Sequence, residues 1–263
     1  MEYEGESLSG KHYIICNFDG NTGETTSNVP LTFNRVSYND GVNFGLISAS
    51  YANSFEYTFD ICLDPQLYDS RIIGYSNYSE IAQWLNRKSF HKIHFFCRDE
   101  YYNDPDIYFN GSFNLSPIKY NNSMLGIRIT MITDSPYGYL NTKTKTANLL
   151  RYGSFSVDYI SDEIGYIVPD ITIKCKSAGN ILLKNNLNNS LLEIKNCVEN
   201  EIITIKGNEL IITSSESTHQ IYNDFNFSFL KIGQTTKDRK NTIVCLGVPS
   251  EITISYNPVI KCF

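Results

Sequence analysis

The stretch DPDIYFNGSFNLSPIKYNNSMLGIRITMITDSPYGY, from Asp104 to Tyr139, has the pattern of three short β-strands. Its first part, Ile107–Phe113, alternates bulky residues with small or polar ones, as a half-buried strand does. The cluster Asn121–Ser123 predicts a turn, because short polar side chains tolerate left-handed backbone and bond to their own main chain. Asp134–Pro136 predicts the end of the last strand, since proline cannot donate to a sheet ladder.

The segment after the predicted turn is amphipathic, with two different faces. Side chains of a strand alternate between the two faces of the sheet. One face therefore carries the larger apolar residues Leu125, Ile127, Ile129 and Met131. The other face carries Gly126, Arg128, Thr130 and Ile132.

A helix is predicted over Asn77–Lys88, just before this stretch. Asn77 is the expected N-cap, and Glu80 three positions later completes a variant of the capping box. The apolar side chains fall on one face at helical spacing: Tyr78, Ile81, Trp84 and Leu85. This face either covers one side of a sheet or, through Trp84, contacts another protein. A strand over Phe90–Arg98 is expected to follow.

The order of these elements resembles the N-terminal domain of the distal tail proteins (Dit) of long-tailed, siphovirus-type phages or prophages. The motifs that carry the resemblance are the helix and strand EIAQWLNRKSFHKIHFFC, the polar-aromatic strand, the short IKY segment, the amphipathic strand and TDSPYGY. Together they cover about residues 77 to 140. Residues 1 to 44 do not match the opening strand and glycine motif of that family.

Further strands are predicted between this region and the N-terminus. They are residues 12–18, Leu31–Val36, Gly45–Ser50 around the turn SYNDGVNFG, and Phe55–Leu63, which alternates strictly. The fold class expected for the first domain is therefore mainly β, a β-sandwich-like domain with one α-helix.

The second half of the chain has its own rhythm of short strands separated by Gly and Asn turns, which is typical of an all-β sandwich. The order PDITI, LLKNN, ITIKGNELIITS, DFNFSFLKIG, NTIVCLG and ITISYNP resembles the galectin-like C-terminal domain common in distal tail proteins, over about residues 165 to 260. The polar, lysine-containing segment Asn141–Leu150 is interpreted as a linker. The predicted domains are therefore a ring-forming tail domain, residues 1–150, and a galectin-like, carbohydrate-binding-module-like sandwich, residues 151–263.

Composition excludes several classes of protein. Tyr (19) and Phe (15) are abundant and 41% of the residues are hydrophobic, which favours strands around a real core. The net charge of −6 argues against nucleic acid as the main partner. The first 30 residues lack the basic and apolar regions of a signal peptide. No apolar run approaches the ~20 residues of a membrane helix, so no membrane partner is expected.

The cysteines are expected to be buried and reduced. They number seven, an odd count, and none belongs to a CxxC pair. Most lie among apolar neighbours, as small hydrophobic residues do. Zinc is not expected, because the histidines do not lie near cysteine pairs. The seven are Cys16, Cys62, Cys97, Cys175, Cys197, Cys245 and Cys262.

No residue is predicted to be catalytic, to bind a cofactor or to bind a metal. We therefore expect that the protein is not an enzyme. His91 and His94 would lie on opposite faces of a strand, which is poor for one metal. The acidic residues of the loop before Ile107 could bind calcium, but their spacing does not match an EF-hand: Asp99, Glu100, Asp104 and Asp106. The hydroxyl-rich run Ser214–His219 is interpreted as a loop.

The resemblance implies a structural virion protein, the hub of the tail tip or baseplate, made in the host cytoplasm. It implies a homo-hexameric ring that joins the tail tube protein to tail-tip or tail-associated proteins and receptor-binding proteins, with a channel for DNA and no specific nucleic-acid binding. The alternative is a carbohydrate-binding module protein that recognises host surface glycans. A cell-wall hydrolase is a third hypothesis. The aromatic candidates for glycan binding are Tyr152, Tyr159, Tyr166, Tyr222 and Tyr256.

Overall fold

Two bodies of β-structure follow one another in the computed structural model, which describes residues 1–18, 31–36, 46–51, 54–94 and 107–261. Unit 1 consists of Met1–Tyr139 with Lys261–Phe263, and unit 2 of Leu140–Ile260. The elements of unit 1 are β1 (Glu2–Tyr3), β2 (Glu6–Ser7), β3 (Tyr13–Cys16), β4 (Leu31–Val36), β5 (Leu46–Tyr51), β6 (Glu56–Leu63), α1 (Tyr75–Leu85), β7 (His91–His94), β8 (Tyr108–Tyr120), β9 (Ser123–Thr133) and β10 (Gly138–Tyr139).

The opening stretch forms one long hairpin rather than three short strands. β8 runs without a break for 13 residues and pairs with the 11 residues of β9. The IKY segment is the end of β8, and Pro117 lies exposed within that strand, next to a register irregularity at Ile118–Lys119. Proline is tolerated in sheets at such edges and bulges, so it does not interrupt the strand.

The predicted turn is confirmed at Asn121 and Asn122, which link the two long strands. Both residues have positive φ, 46° and 63°. Two consecutive left-handed residues give the backbone twist that matches a two-residue β-hairpin, and asparagine tolerates this conformation well. The end of β9 at Thr133 agrees with the predicted stop at Asp134–Pro136.

The hairpin lies inside an antiparallel sheet with the order β2-β1-β7-β8-β9-β6-β3 among the described residues, and β10 pairs with β8. The two predicted faces of β9 are confirmed. Ile127, Ile129 and Met131 are fully buried in the core of unit 1. On the other face Arg128 makes a bidentate ion pair with its cross-strand partner Asp60, at 2.8 and 2.9 Å.

Helix α1 covers the core face of this sheet. Ile81, Trp84 and Leu85 are buried, and the Trp84 ring meets the Tyr3 ring edge-on at 6.1 Å. The predicted N-cap is wrong: the helix begins earlier, the cap is Gly74, and no side chain caps it. The apolar spacing located the helix correctly, whereas the capping signature did not mark its start.

Unit 2 is a sandwich of two antiparallel sheets around one core. Its elements are β11 (Lys143–Leu149), β12 (Ser154–Asp158), β13 (Gly165–Ile167), β14 (Asp170–Cys175), β15 (Gly179–Asn185), β16 (Leu191–Cys197), β17 (Ile202–Lys206), β18 (Ile211–Ser214), α2 (Ile221–Asp224), β19 (Ile232–Gln234), β20 (Lys240–Cys245), β21 (Ser250–Tyr256) and β22 (Val259–Ile260). One sheet has the order β11-β21-β14-β17-β18, the other β12-β20-β15-β16, and β13 pairs with β19. Both sheets contribute side chains to the same hydrophobic cluster.

The segment predicted as a linker is a strand of this sandwich. β11 pairs along its whole length with β21, so unit 2 begins at Leu140, before the predicted boundary at residue 150. Cross-strand hydroxyl pairs line this contact, such as Thr146 with Thr253 at 2.9 Å. Lysines and short polar residues are typical of an edge strand, where they discourage further pairing, and this composition resembles that of a linker.

The segment DFNFSFLKIG is also different from the predicted strand. Within it only Ile232 and Gly233 belong to a strand, Phe225 forms an isolated bridge with Ile194, and Phe227 is left-handed with φ of 53°. The Asn226 side chain accepts a hydrogen bond from the backbone of Ser228 at 3.1 Å, a local turn that competes with a sheet ladder. The strand predicted over most of this segment is therefore wrong.

The other predicted strands of both units are confirmed at their centres. β4 pairs with β5 and β3 with β6. Residues 37–45 and 95–106 lie outside the described residues, and with them the SYNDGVNFG turn, the end of the strand predicted over Phe90–Arg98 and the acidic loop. In the described part of the chain, no helix is long and apolar enough to span a membrane.

We predict that Trp84→Ala destabilises the protein by about 3–5 kcal/mol, because it removes a large side chain that is only 6% exposed. Tyr75 is the matched control, since it lies on the same helix and is 84% exposed. Tyr75→Ala should change the free energy of unfolding by less than about 0.5 kcal/mol. Urea unfolding followed by circular dichroism measures both, and equal effects would contradict the packing described for α1.

Candidate functional site

An open groove in unit 2 is one candidate binding site formed by described residues. It has a volume of about 660 Å³ and is lined by Tyr166, Val168, Asn188, Ser190, Leu210, Phe227, Ser228, Phe229 and Lys231. A volume of this size falls in the range of small-molecule sites, and such sites combine aromatic walls with a few polar groups.

The groove is bordered by two strained apolar residues. Leu210 and Phe227 have φ of 55° and 53°, a conformation that large side chains rarely adopt. Both side chains are nevertheless exposed, 55% and 69%, so burial does not offset the strain. Strain of this kind is concentrated at binding and catalytic sites.

The polar rim of the groove is held by a small hydrogen-bond network. The backbone carbonyl of Lys231 accepts hydrogen bonds from Asn188 Nδ2 at 3.0 Å and from Ser190 Oγ at 3.3 Å. Ser190 Oγ in turn accepts a hydrogen bond from the Lys231 backbone at 2.9 Å. The segment after Phe229 is therefore tied to the β15–β16 turn, which fixes the shape of the groove.

Of the tyrosines proposed for glycan binding, the structure brings only Tyr166 to the groove. Tyr159 and Tyr256 stack on each other at 5.3 Å within the core cluster of unit 2. Tyr152 and Tyr222 are exposed but do not line the groove. Phe227 and Phe229 were not among the residues proposed from the sequence, where their segment was predicted to be a strand.

A buried polar cluster forms the second candidate site. Glu201 is completely buried, and it accepts hydrogen bonds from Ser214 Oγ at 2.5 Å and from the backbone N–H of Val198 at 2.8 Å. His219, only 3% exposed, bonds to the same carboxylate through Nδ1 at 2.6 Å. Its Nε2 lies 3.3 Å from Asp224, close enough for an ion pair but not aligned as a hydrogen bond.

The surroundings of Glu201 favour its ionised form. Burial alone would raise the pKa of this carboxyl, but the hydrogen bonds from Ser214, His219 and Val198 outweigh burial, and the pKa is lowered. The run Ser214–His219, predicted as a simple loop, is thus anchored at both of its ends to one buried carboxylate. No sequence signal pointed to this, since Glu201 lies on the other side of a hairpin.

The histidines of β7 form no joint site. His91 bonds to Ser89 Oγ at 2.7 Å and pairs with Glu4, while His94 packs against the Tyr108 ring at 5.9 Å between centroids. The two rings therefore have separate environments, as the strand periodicity predicted.

The end strand of the unit 1 sheet carries exposed apolar side chains. Ile14 and Ile15 of β3, and Phe18 shortly after it, are each more than one third exposed. β3 pairs with β6 on one side and ends the sheet within the described part of unit 1. Exposed apolar side chains on an outer strand are a feature of protein interfaces.

The two units match two neighbouring family descriptions. Residues 1–135 match the family described as a phage tail protein N-terminal domain, and residues 137–256 match the one described as a phage tail C-terminal domain. The chain belongs to this family of phage tail proteins. The join between the two matches falls close to Tyr139, where the structure also divides the chain.

The fold of the tail protein is similar to that of a solved Dit structure. The crystal structure of the Dit protein (gp 19.1) of phage SPP1 superposes with a TM-score of 0.67, at 12% identity, over 97% of each chain. That protein is described as a paradigm of the hub adsorption apparatus in phages that infect Gram-positive bacteria. The resemblance to distal tail proteins is therefore confirmed in the fold, and the mainly β, two-domain class with it. No curated protein matches the chain.

We predict that Glu201→Gln destabilises unit 2 by about 1–3 kcal/mol, because an amide has only one acceptor oxygen for the donors around it. The loss should depend on pH. Because the pKa is lowered in the folded protein, the ionised Glu201 stabilises the fold above about pH 4.5, the unperturbed pKa of a glutamate side chain. This contribution is lost as the pH falls through the folded-state pKa.

Thermal unfolding of both proteins between pH 3 and 7 measures this effect. The two curves should lie apart near pH 7 and converge at acid pH. Glu199→Gln, two residues away at an exposed position, should follow the wild type throughout. Parallel curves for Glu201→Gln and the wild type would contradict the role assigned to the carboxylate.

Proposed function

We propose that this tail protein is the structural hub of the tail tip, a closed ring of six subunits that joins the tail tube to tail-tip and receptor-binding proteins. The observation that supports the proposal is the two-unit fold, which is similar to Dit of phage SPP1 over 97% of both chains. The function is assembly rather than catalysis. Its mechanism is burial of surface between subunits.

A closed ring requires two different complementary patches on each subunit, because each contact is head-to-tail. Unit 1 offers surface suited to such a contact, where Ile14 and Ile15 are exposed on the end strand β3 and Phe18 is exposed just after it. Their neighbourhood includes a cavity of about 310 Å³ lined by Phe18, Pro65 and Leu125 among others. We assign the ring contacts to unit 1 and the outward-facing contacts to unit 2.

The acidic balance of the chain suits a ring around a channel for DNA. With a net charge of −6, the protein would repel a phosphate backbone rather than hold it. We therefore propose that DNA passes through the ring without specific binding. The partners are other proteins of the virion tail.

We predict that the full chain, 30.0 kDa per subunit, assembles into a species six times that mass. A fragment of residues 1–139 should keep this assembly, and a fragment of residues 140–263 should fold as a monomer, because these are the units that the structure separates. Light scattering over a concentration series measures all three masses. A monomeric unit 1 beside an oligomeric unit 2 would reverse the proposed division of roles.

A second candidate function is recognition of host surface glycans, which the groove of unit 2 favours. Exposed aromatic rings stack on sugar rings, while hydroxyl and amide groups at the rim can fix their orientation. Tyr166, Phe227 and Phe229 supply the aromatic surface, and Ser228 lies among them. This function is compatible with a hub, since it uses a different unit of the chain.

We predict that, if the groove binds glycans, Phe227→Ala removes binding of the full chain on a glycan array. Phe227 is the most exposed ring of the groove, so its removal should leave the fold intact. Tyr222→Ala is the matched control, because Tyr222 is similarly exposed but does not line the groove. Equal binding by both variants, or none by the wild type, would exclude the groove as a glycan site.

A further inference from the structure

Three potential metal ligands meet inside unit 2. The sulfur atoms of Cys175 and Cys197 and a carboxylate oxygen of Glu201 all lie within 4.8 Å of one another, and all three residues are buried. Cys175 ends β14 in one sheet and Cys197 ends β16 in the other. The cluster therefore spans the two layers of the sandwich at one end of its core.

The backbone brings these residues together by hydrogen bonds of its own. The N–H of Cys175 donates to the carbonyl of Glu201, and the N–H of Asn200 donates to the carbonyl of Cys175, both at 2.9 Å. Asn196 and Asn200 have φ of 54° and 64° and shape the tight turn that follows β16. Backbone hydrogen bonds therefore fix where these three residues lie relative to one another.

The chemistry of the ligands suits a soft divalent cation. Thiolate sulfur and carboxylate oxygen bind Zn²⁺ at about 2.3 Å and about 2.0–2.2 Å in tetrahedral sites. The three donor atoms lie within 4.8 Å of one another, close enough for small side-chain shifts to bring them around one ion. The two thiols are also hydrogen-bonded to each other, so their sulfur atoms lie side by side.

The residues around Glu201 resemble the outer shell of a metal site. Ser214 and His219 both bond to Oε1, and the backbone of Val198 bonds to Oε2. Hydrogen bonds of this kind orient a ligand carboxylate, and their loss typically costs ten- to a hundredfold in metal affinity. His219 itself lies between Glu201 and Asp224, with its ring nitrogens 2.6 and 3.3 Å from their carboxylate oxygens.

We propose that Cys175, Cys197 and Glu201 form a structural zinc site that links the two sheets of unit 2. Binding replaces the two thiol protons, which are released to solvent, and changes no oxidation state. Three protein ligands leave the fourth tetrahedral position for a water molecule. Zinc was not expected from the sequence, because the histidines do not lie near cysteine pairs, but the fold brings Cys175 from another strand to Cys197 and Glu201.

Titration of the reduced, metal-free full chain with Co²⁺ tests the site, because thiolate-bound Co²⁺ absorbs strongly in the near ultraviolet. We expect saturation at one Co²⁺ per chain, loss of the absorption when Zn²⁺ is added, and a higher melting temperature with one equivalent of Zn²⁺. Two protons should be released per metal ion near neutral pH. These measurements on the wild type do not depend on the folding of any variant.

Matched variants show which residues carry the binding. Cys175→Ser and Glu201→Gln should remove stoichiometric binding, and Ser214→Ala should weaken it about ten- to a hundredfold. Cys245→Ser is the control, since Cys245 is equally buried in the same core but outside the cluster. Absence of a thiolate band in the wild type, equal loss in Cys245→Ser, or a Cys175–Cys197 disulfide that persists under reducing conditions would each overturn the proposal.

Discussion

The antiparallel pairing of β8 with β9 is the constraint on which unit 1 depends. It is the longest ladder of the sheet, and its register places Phe113 opposite Met131 and Leu115 opposite Ile129. A shift by one residue would move these side chains to the other face of the sheet. The two left-handed residues of the Asn121–Asn122 turn connect the strands directly, and this short connection fixes the register at one end of the hairpin.

The other parts of unit 1 attach to this hairpin. β6 joins β9, where the Asp60–Arg128 ion pair occupies the face away from the core, and β7 joins β8 on the other side. Helix α1 then covers the buried face. A rigid sheet with one covered face and an outer strand bearing exposed apolar residues is a suitable subunit for a ring, since the interface does not need to order itself on assembly.

Unit 2 is organised by a different constraint, the buried tie between the end of β14 and the turn after β16. The backbone bonds of Cys175 close the sandwich at this end, and the ionised Glu201 gathers Ser214 and His219 around it. The groove has a separate support in the network around the Lys231 carbonyl. The structural cluster and the candidate binding surface therefore use different residues, so one can change without the other.

Much of the fold could be predicted from local patterns, and the errors share one physical cause. Alternation located the core strands, and the Asn-Asn turn was found because its chemistry is local. The errors arose where tertiary pairing decided the outcome: β11 resembles a linker but pairs with β21, and the Phe225–Phe229 segment resembles a strand but turns at Asn226.

The candidate sites were harder still to predict. Cys175, Cys197 and Glu201 meet only after the sheets pack. No spacing in the sequence shows such contacts. The same holds for Phe227, whose left-handed backbone and exposure appear only in the folded unit.

Electron microscopy of assembled phage tails, with a gold label on this chain, locates the protein in the virion. We expect label at the distal end of the tail, in a ring with six-fold symmetry below the tube. Label distributed along the tube, or at the end joined to the head, would contradict the proposed position of the protein as the hub of the tail tip.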